Sequence, residues 1–227
     1  MQTWAAIFDW DGVILDSSRQ HEEAWNQLAA EEGRTLAPNF FRQSFGMKND
    51  RVITHLLGWT QAPDEVRALN ERKEAHFRTR LAQTGATPLP GVVAWLQALR
   101  AAGVPCAIAS STPRQNIDCA MAFLRLQQYF VATIAAEDVT QGKPHPEVFL
   151  LAARRLGAPP QCCVVFEDAH VGIEAGLKAG MRVVAVATTH PADSLQQAHR
   201  VVGRLDELDI ADIAAWMTVR SARLTAQ

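Results

Sequence analysis

The chain has 227 residues, 48% of them hydrophobic, enough for one large domain or for one domain carrying a smaller one. Its net charge of −2, without any Lys/Arg run, argues against nucleic acid and anionic membrane as main partners. No apolar run reaches transmembrane length, and the N-terminus lacks a basic segment followed by an apolar one.

Residues 4–8 (Trp-Ala-Ala-Ile-Phe) read as a short buried strand that runs into Asp9-Trp10-Asp11-Gly12. Ionised carboxylates are rarely buried unless paired or bound to metal. A hard divalent cation would resolve that conflict, and an Asp capping a turn is the plainer alternative. Gly12 lets the backbone turn tightly there. Residues 17–86 carry no clear strand pattern. Residues 21–32 are expected to be helical, with Ala24, Trp25, Leu28 and Ala29 on one stripe and Gly33 as the stop. Residues 38–45 follow as a short helix, then the loop Gly46-Met47-Lys48-Asn49, with Asn49 placed to cap a helix running to Leu57. Pro63-Asp64 start a long helix to about residue 83, with Val66, Leu69, Phe77 and Leu81 facing inward.

From residue 90 strand and helix alternate. The expected order is helix 92–102, strand 104–110, helix to about 126 and strand 131–136. Helix 146–156, strand 162–166, helix 169–179 and strand 182–187 follow. Val201-Val202 add a short edge strand before a final helix over 206–217. Thr112-Pro113 read as an N-cap followed by Pro at the first helical position. Continuous apolar strands separated by helices imply an α/β fold, a doubly wound parallel sheet covered on both faces. The cysteines, Cys106, Cys119, Cys162 and Cys163, form no CxxC pair, and three lie in strand-like stretches. The expectation is a reducing cytoplasm, with neither disulfide nor zinc site.

Four groups of chemically capable residues fall at corresponding places. Asp9 and Asp11 follow the first strand, Ser110, Ser111 and Thr112 the second, Lys143 the third, and Glu167-Asp168 the fourth. Ligands bind beyond the carboxyl ends of strands in open α/β sheets, so these groups can converge. Each has a plain reading too: a helix cap for Thr112, a solvated loop lysine for Lys143, an N-terminal helix cap for Glu167-Asp168. Together they suit phosphoryl transfer. Asp9 and Asp168 can hold Mg²⁺, which with Lys143 would neutralise a phosphate facing a carboxylate. Hydroxyls of Ser110 or Thr112 can hold phosphate oxygens, and Asp11 can pass a proton to the leaving oxygen and take one from the incoming nucleophile.

The stretches Phe8-Asp9-Trp10-Asp11-Gly12-Val13-Ile14-Leu15-Asp16-Ser17, Ala109-Ser110-Ser111-Thr112, Gly142-Lys143-Pro144 and Phe166-Glu167-Asp168-Ala169 together resemble the haloacid dehalogenase superfamily. The resemblance covers essentially the whole chain and is nearest to the β-phosphoglucomutase-like phosphatase branch. It implies a Rossmann-like core over residues 1–16 and 87–227. It also implies a small helical cap over 17–86, hinged near Asp16-Ser17 and residues 85–91. It implies Asp9 as the nucleophile forming an aspartyl phosphate, and Asp11 as acid/base with its backbone carbonyl on Mg²⁺. Ser110 and Lys143 would bind the transferring phosphoryl group, with Gly12, Ser111 and Thr112 beside the substrate. Asp168 would ligate Mg²⁺, with Glu167 next to it.

In the cap, His21 resembles the mutase's cap histidine; its alternative is a partly exposed helix residue. Lys73 resembles a cap lysine facing the hinge, its alternative being a snorkelling surface side chain. Where the mutase holds the sugar's second phosphate with a cap-loop arginine, this chain has Asn49. Lys48, Arg51 and Arg114 are the candidates to replace that charge. The expected function is a Mg²⁺-dependent phosphatase of small phosphorylated metabolites, most of all sugar phosphates, acting as a monomer or weak homodimer. A β-phosphoglucomutase-type phosphomutase is the second reading. A non-catalytic phosphate sensor is the third, and its signature, a lost nucleophile or lysine, is absent. The six tryptophans are assigned no role.

Overall fold

A computed structural model describes residues 4–224, with side chains through residue 218. Six parallel strands form one sheet in the order β3-β2-β1-β4-β5-β6. They are β1 (Ala5–Phe8), β2 (Cys106–Ala109), β3 (Ala132–Ile134), β4 (Cys163–Glu167), β5 (Arg182–Val186) and β6 (Arg200–Val202). Side chains alternate across the sheet, and both faces are dry. Ala6, Phe8, Ile108, Val164, Phe166 and Val184 pack against Trp95 of α5 (Val92–Ala101), Ile117 and Met121 of α6 (Arg114–Leu124) and Ile213 of α9 (Ile210–Leu224). Ala5, Ile7, Ala107, Val165 and Val183 pack against Val148 and Phe149 of α7 (Glu147–Arg155) and Ile173 of α8 (His170–Lys178). Phe8 stacks on Phe166 at 4.6 Å between centroids, fastening β1 to β4.

Residues between β1 and β2 form a helical layer. It holds α1 (Ser18–Glu31), α2 (Phe40–Ser44), α3 (Asn49–Arg51) continued by a π-helical turn (Val52–Leu56), and α4 (Pro63–Thr84). Its own core is Trp25, Leu28, Phe40, Val52, Ile53 and Leu69. No helix among the described residues is long and apolar enough to cross a membrane.

Three local expectations are corrected. Asn49 is the first residue of α3 and caps nothing, because its side-chain amide is drawn to Asn70 and Glu74. Thr112 does not cap α6; Pro113 holds the N-cap position, and the Thr112 hydroxyl goes to Asp11. The last helix begins at Ile210, since residues 205–207 form a 3₁₀ turn first.

Strand order reverses about β1 and β4, and the crevice between their carboxyl ends is where this topology places ligands. The chain leaves β1 there through Gly12, whose φ of +78° suits only glycine. A Cβ at Gly12 would lie 1.9 Å from Asp168 Oδ2, so only glycine lets the β1 turn approach the β4 end.

Candidate active site

Asp9 follows β1 directly, and its backbone N–H donates to the Phe166 carbonyl at 2.9 Å, fixing the residue beside the end of β4. Lys143, from the loop before α7, places Nζ 2.7 Å from Asp9 Oδ1 and donates to Glu167 Oε1 at 2.5 Å. Glu167 Oε2 accepts the backbone N–H groups of Asp168 and Ala169, each at 2.8 Å, which anchors it over the start of α8. Space for that carboxylate exists because α8 carries Gly172, where a Cβ would fall 1.6 Å from Glu167 Oε1.

Asp9, Glu167 and Asp168 are all buried and offer oxygens within 4.8 Å of one another. Asp168 Oδ1 accepts no hydrogen bond, although the second oxygen of Asp168 takes the Thr189 hydroxyl. Burial pushes the Asp9 carboxyl up to about 7; Lys143 opposes the rise and Glu167 adds to it. Burial, then the charges of Glu167 and Asp9, hold Asp168 well above the ordinary carboxylate range. Three buried carboxylates against one lysine, with Asp168 Oδ1 unpartnered, make a donor set suited to a hard divalent cation.

Asp11 is separate. Its side chain is not part of that cluster. Instead Oδ1 accepts the Ser17 hydroxyl and faces His21 Nε2 at 3.4 Å, while Oδ2 accepts the Thr112 hydroxyl. Burial alone would raise its pKa, yet His21 and the hydrogen bonds from His21, Ser17 and Thr112 bring it down to about 2. Lys73 Nζ lies 2.7 Å from His21 Nδ1, while the other ring nitrogen, Nε2, faces Asp11. His21 also stacks on Phe77 at 4.0 Å, so the ring is held on its face as well as its edge.

A cavity of about 50 Å³ lies between the sheet end and the helical layer. Asp9, Asp11, Ser110, Ser111 and Thr112 line one side; His21, Asn49 and Lys73 line the other. The site residues expected from both parts of the chain therefore meet, with two exceptions. Lys48 and Arg114 do not line this cavity. Lys48 donates to the Val139 carbonyl at 2.8 Å, its stem packed on Gly142. Arg114 is ion-paired with Asp138 and donates to the Thr133 carbonyl at 3.0 Å. Arg51 reaches the Lys143 carbonyl at 3.4 Å. The plain surface readings of His21 and Lys73 fail, since both are buried, at 8% and 1% exposure. Sequence reasoning assigned no site role to Ser17, Glu74 or Thr189. Thr189 was accessible, because it follows the end of β5, whereas nothing local distinguishes Glu74.

A family model described as haloacid dehalogenase-like hydrolase matches residues 5–180. The chain is 37% identical over 211 residues to the chloroplastic 5-amino-6-(5-phospho-D-ribitylamino)uracil phosphatase of Arabidopsis thaliana, covering 92% of this chain and 56% of that protein. It thus spans a little over half the length of that relative. It is 34% identical over 206 residues to hexitol phosphatase A of Escherichia coli (strain K12), covering 90% and 92% of the two chains. Among solved structures, β-phosphoglucomutase from Clostridium difficile is similar with a TM-score of 0.86 and 26% identity, over 97% of this chain and 99% of that one.

Proposed function

The chain belongs to the haloacid dehalogenase-like hydrolases, and we propose that it is a phosphatase of the sugar-phosphate type that depends on Mg²⁺ and works through an aspartyl phosphate on Asp9. The observation that carries this reading is the Asp9 carboxylate, held 2.7 Å from a buried lysine at the edge of a cavity lined by Ser110 and Thr112.

In the first half-reaction an Asp9 oxygen bonds to phosphorus, the bond from phosphorus to the alcohol oxygen breaks, and Asp11 gives that oxygen its proton. Lys143 and the hydroxyl and backbone N–H groups around Ser110 hold the phosphoryl oxygens. In the second, Asp11 removes a proton from water, the water oxygen bonds to phosphorus, and Asp9 leaves as a carboxylate. Held by Ser17, Thr112 and His21, Asp11 is in the ionised form that the second half needs. Its acid role requires release from some of these donors, and movement of α1 would withdraw His21. Asp9 and Asp168, with the Asp11 carbonyl, would hold Mg²⁺ with Glu167 beside them, and the ion would supply neutralisation of the negative charge on the transferring group.

We assign residues 17–86 the role of a cap over a core of residues 1–16 and 87–227. A cavity of about 50 Å³ admits a few waters and no sugar phosphate, so this arrangement is the closed one and substrate arrives by cap movement. The free cysteines fit the reducing, cytoplasmic compartment in which we place it.

The similarity to β-phosphoglucomutase makes phosphomutase the second reading. A mutase must grip a second phosphate with fixed cations. Lys73 is the one lysine or arginine among the cavity-lining residues, and it is ion-paired with Glu74 at 2.9 Å. Lys48, Arg51 and Arg114 are committed to carbonyls or to Asp138. Phosphate release from a hexitol or pentose monophosphate is therefore expected to outrun conversion of β-glucose 1-phosphate to glucose 6-phosphate, assayed with a trace of glucose 1,6-bisphosphate. Dominant isomerisation with little inorganic phosphate would establish the mutase instead.

A further inference from the structure

Glu74 on α4 is 4% exposed, lines the cavity, and has no part in the mechanism above. Its Oε1 accepts from Lys73 Nζ at 2.9 Å and from the Asn49 amide, and its Oε2 accepts from the Asn116 amide. Asn116 belongs to α6 and is fully buried; its Oδ1 receives Arg78 Nη1 at 3.0 Å. The Asn49 amide also donates to Asn70 Oδ1 at 2.7 Å. The far wall of the cavity is thus a carboxylate set among side-chain amides. Burial works against the charge of Glu74, but Lys73, His21 and the hydrogen bonds prevail and hold its pKa below the ordinary value.

Two consequences follow. Glu74 cancels the charge of Lys73, so this wall offers no net positive charge. An ionised carboxylate in an enclosed site also repels a phosphate dianion and welcomes hydroxyl or N–H donors. We propose that Glu74, with Asn49, sets specificity: it selects monophosphates whose far end is a neutral polyol or carries N–H donors, and rejects bisphosphates. This rests on the reading that the Asp9 cavity takes phosphomonoesters. The mechanism is exchange of donors. When the cap opens and closes on substrate, hydroxyls of the polyol take over acceptor positions on Glu74, and a second phosphate would meet them unpaired.

The test compares kcat/KM for glucitol 6-phosphate and glucitol 1,6-bisphosphate, with p-nitrophenyl phosphate as a third substrate lacking a polyol. Wild-type protein is expected to favour the monophosphate by about 100-fold or more. Glu74→Gln should shrink that ratio about tenfold or more, chiefly through a lower KM for the bisphosphate, while Glu74→Asp should keep most of it. Asn49→Arg, at the half-buried first residue of α3, should shrink it as well and carries the test should Glu74→Gln not fold. A wild-type ratio within a few-fold of unity overturns the proposal. So does a ratio that neither Glu74→Gln nor Asn49→Arg changes, because a structural role would scale both substrates together. Turnover of p-nitrophenyl phosphate in those cases leaves the phosphatase reading standing. No turnover of any of the three overturns that reading and this proposal with it.

Discussion

Replacing Asp9 with Asn is expected to lower turnover on the order of 10⁴-fold or more, the scale seen when a covalent nucleophile is removed. The loss should be chemical and not structural. Asn has the shape of Asp, and the backbone bond from residue 9 to the Phe166 carbonyl survives. Lys143 keeps Glu167 as a partner at 2.5 Å, so no buried cation is orphaned. Burial already drives the Asp9 carboxyl up to about 7, so a neutral amide removes a strained charge from the metal-free site. Far-UV circular dichroism should match wild type and the melting temperature should not fall. Retention of more than a few per cent of phosphate release would contradict the covalent mechanism.

Chelation of divalent cations is expected to abolish activity, and adding Mg²⁺ back should also raise the melting temperature. The size of that second effect should depend on pH. Asp9 and Asp168 have folded-state pKa values above their unfolded ones, for the reason given by their burial and by Glu167. The native state therefore keeps protons that the unfolded chain has released. Without metal, stability from these groups is present below about pH 4 and is lost as pH rises through about 7. A cation that binds the deprotonated carboxylates restores it. At a hundredfold excess over its dissociation constant the gain is about 2.7 kcal/mol, or roughly 5–10 °C for a chain of this size. The increment should be larger at pH 7.5 than at pH 5, and Asp168→Asn should remove most of it. Equal melting temperatures with and without Mg²⁺ at pH 7.5 would mean that the Asp9, Glu167 and Asp168 cluster holds no cation.

The sheet was legible because its strands are buried on both faces, so each appears as an unbroken apolar run with its chemistry at the carboxyl end. That rule brings Asp9, Ser110 and Asp168 together as candidates, while their roles, and that of Lys143 in the loop beyond the turn after β3, came from the family resemblance. The helical layer was legible as helices from its pattern, whereas His21, Lys73 and Asn49 were placed at the site by the family resemblance and not by any local signal. Asn49 looked like a helix cap by local propensity, yet a buried carboxylate and an amide claim its side chain. Lys48 and Arg114 carried the right charge, but carbonyls and Asp138 turn them elsewhere. Glu74 meets Asn116 across 42 positions of sequence, and Thr112 meets Asp11 across 101. Contacts of that kind are set by tertiary packing between segments distant in the chain, and no local period announces them. Ser17 is similar: its hydroxyl reads as a hinge residue until the fold returns it to Asp11.

Mass spectrometry of the trapped enzyme tests the central claim most directly. The protein is mixed with a phosphomonoester and Mg²⁺, quenched in acid within milliseconds, reduced with borohydride and digested. An acyl phosphate on a carboxylate at position 9 is reduced to the alcohol, so the account predicts homoserine at residue 9. Phosphate release with no reduced residue, or reduction at Asp11 or any other carboxylate in place of Asp9, would contradict it.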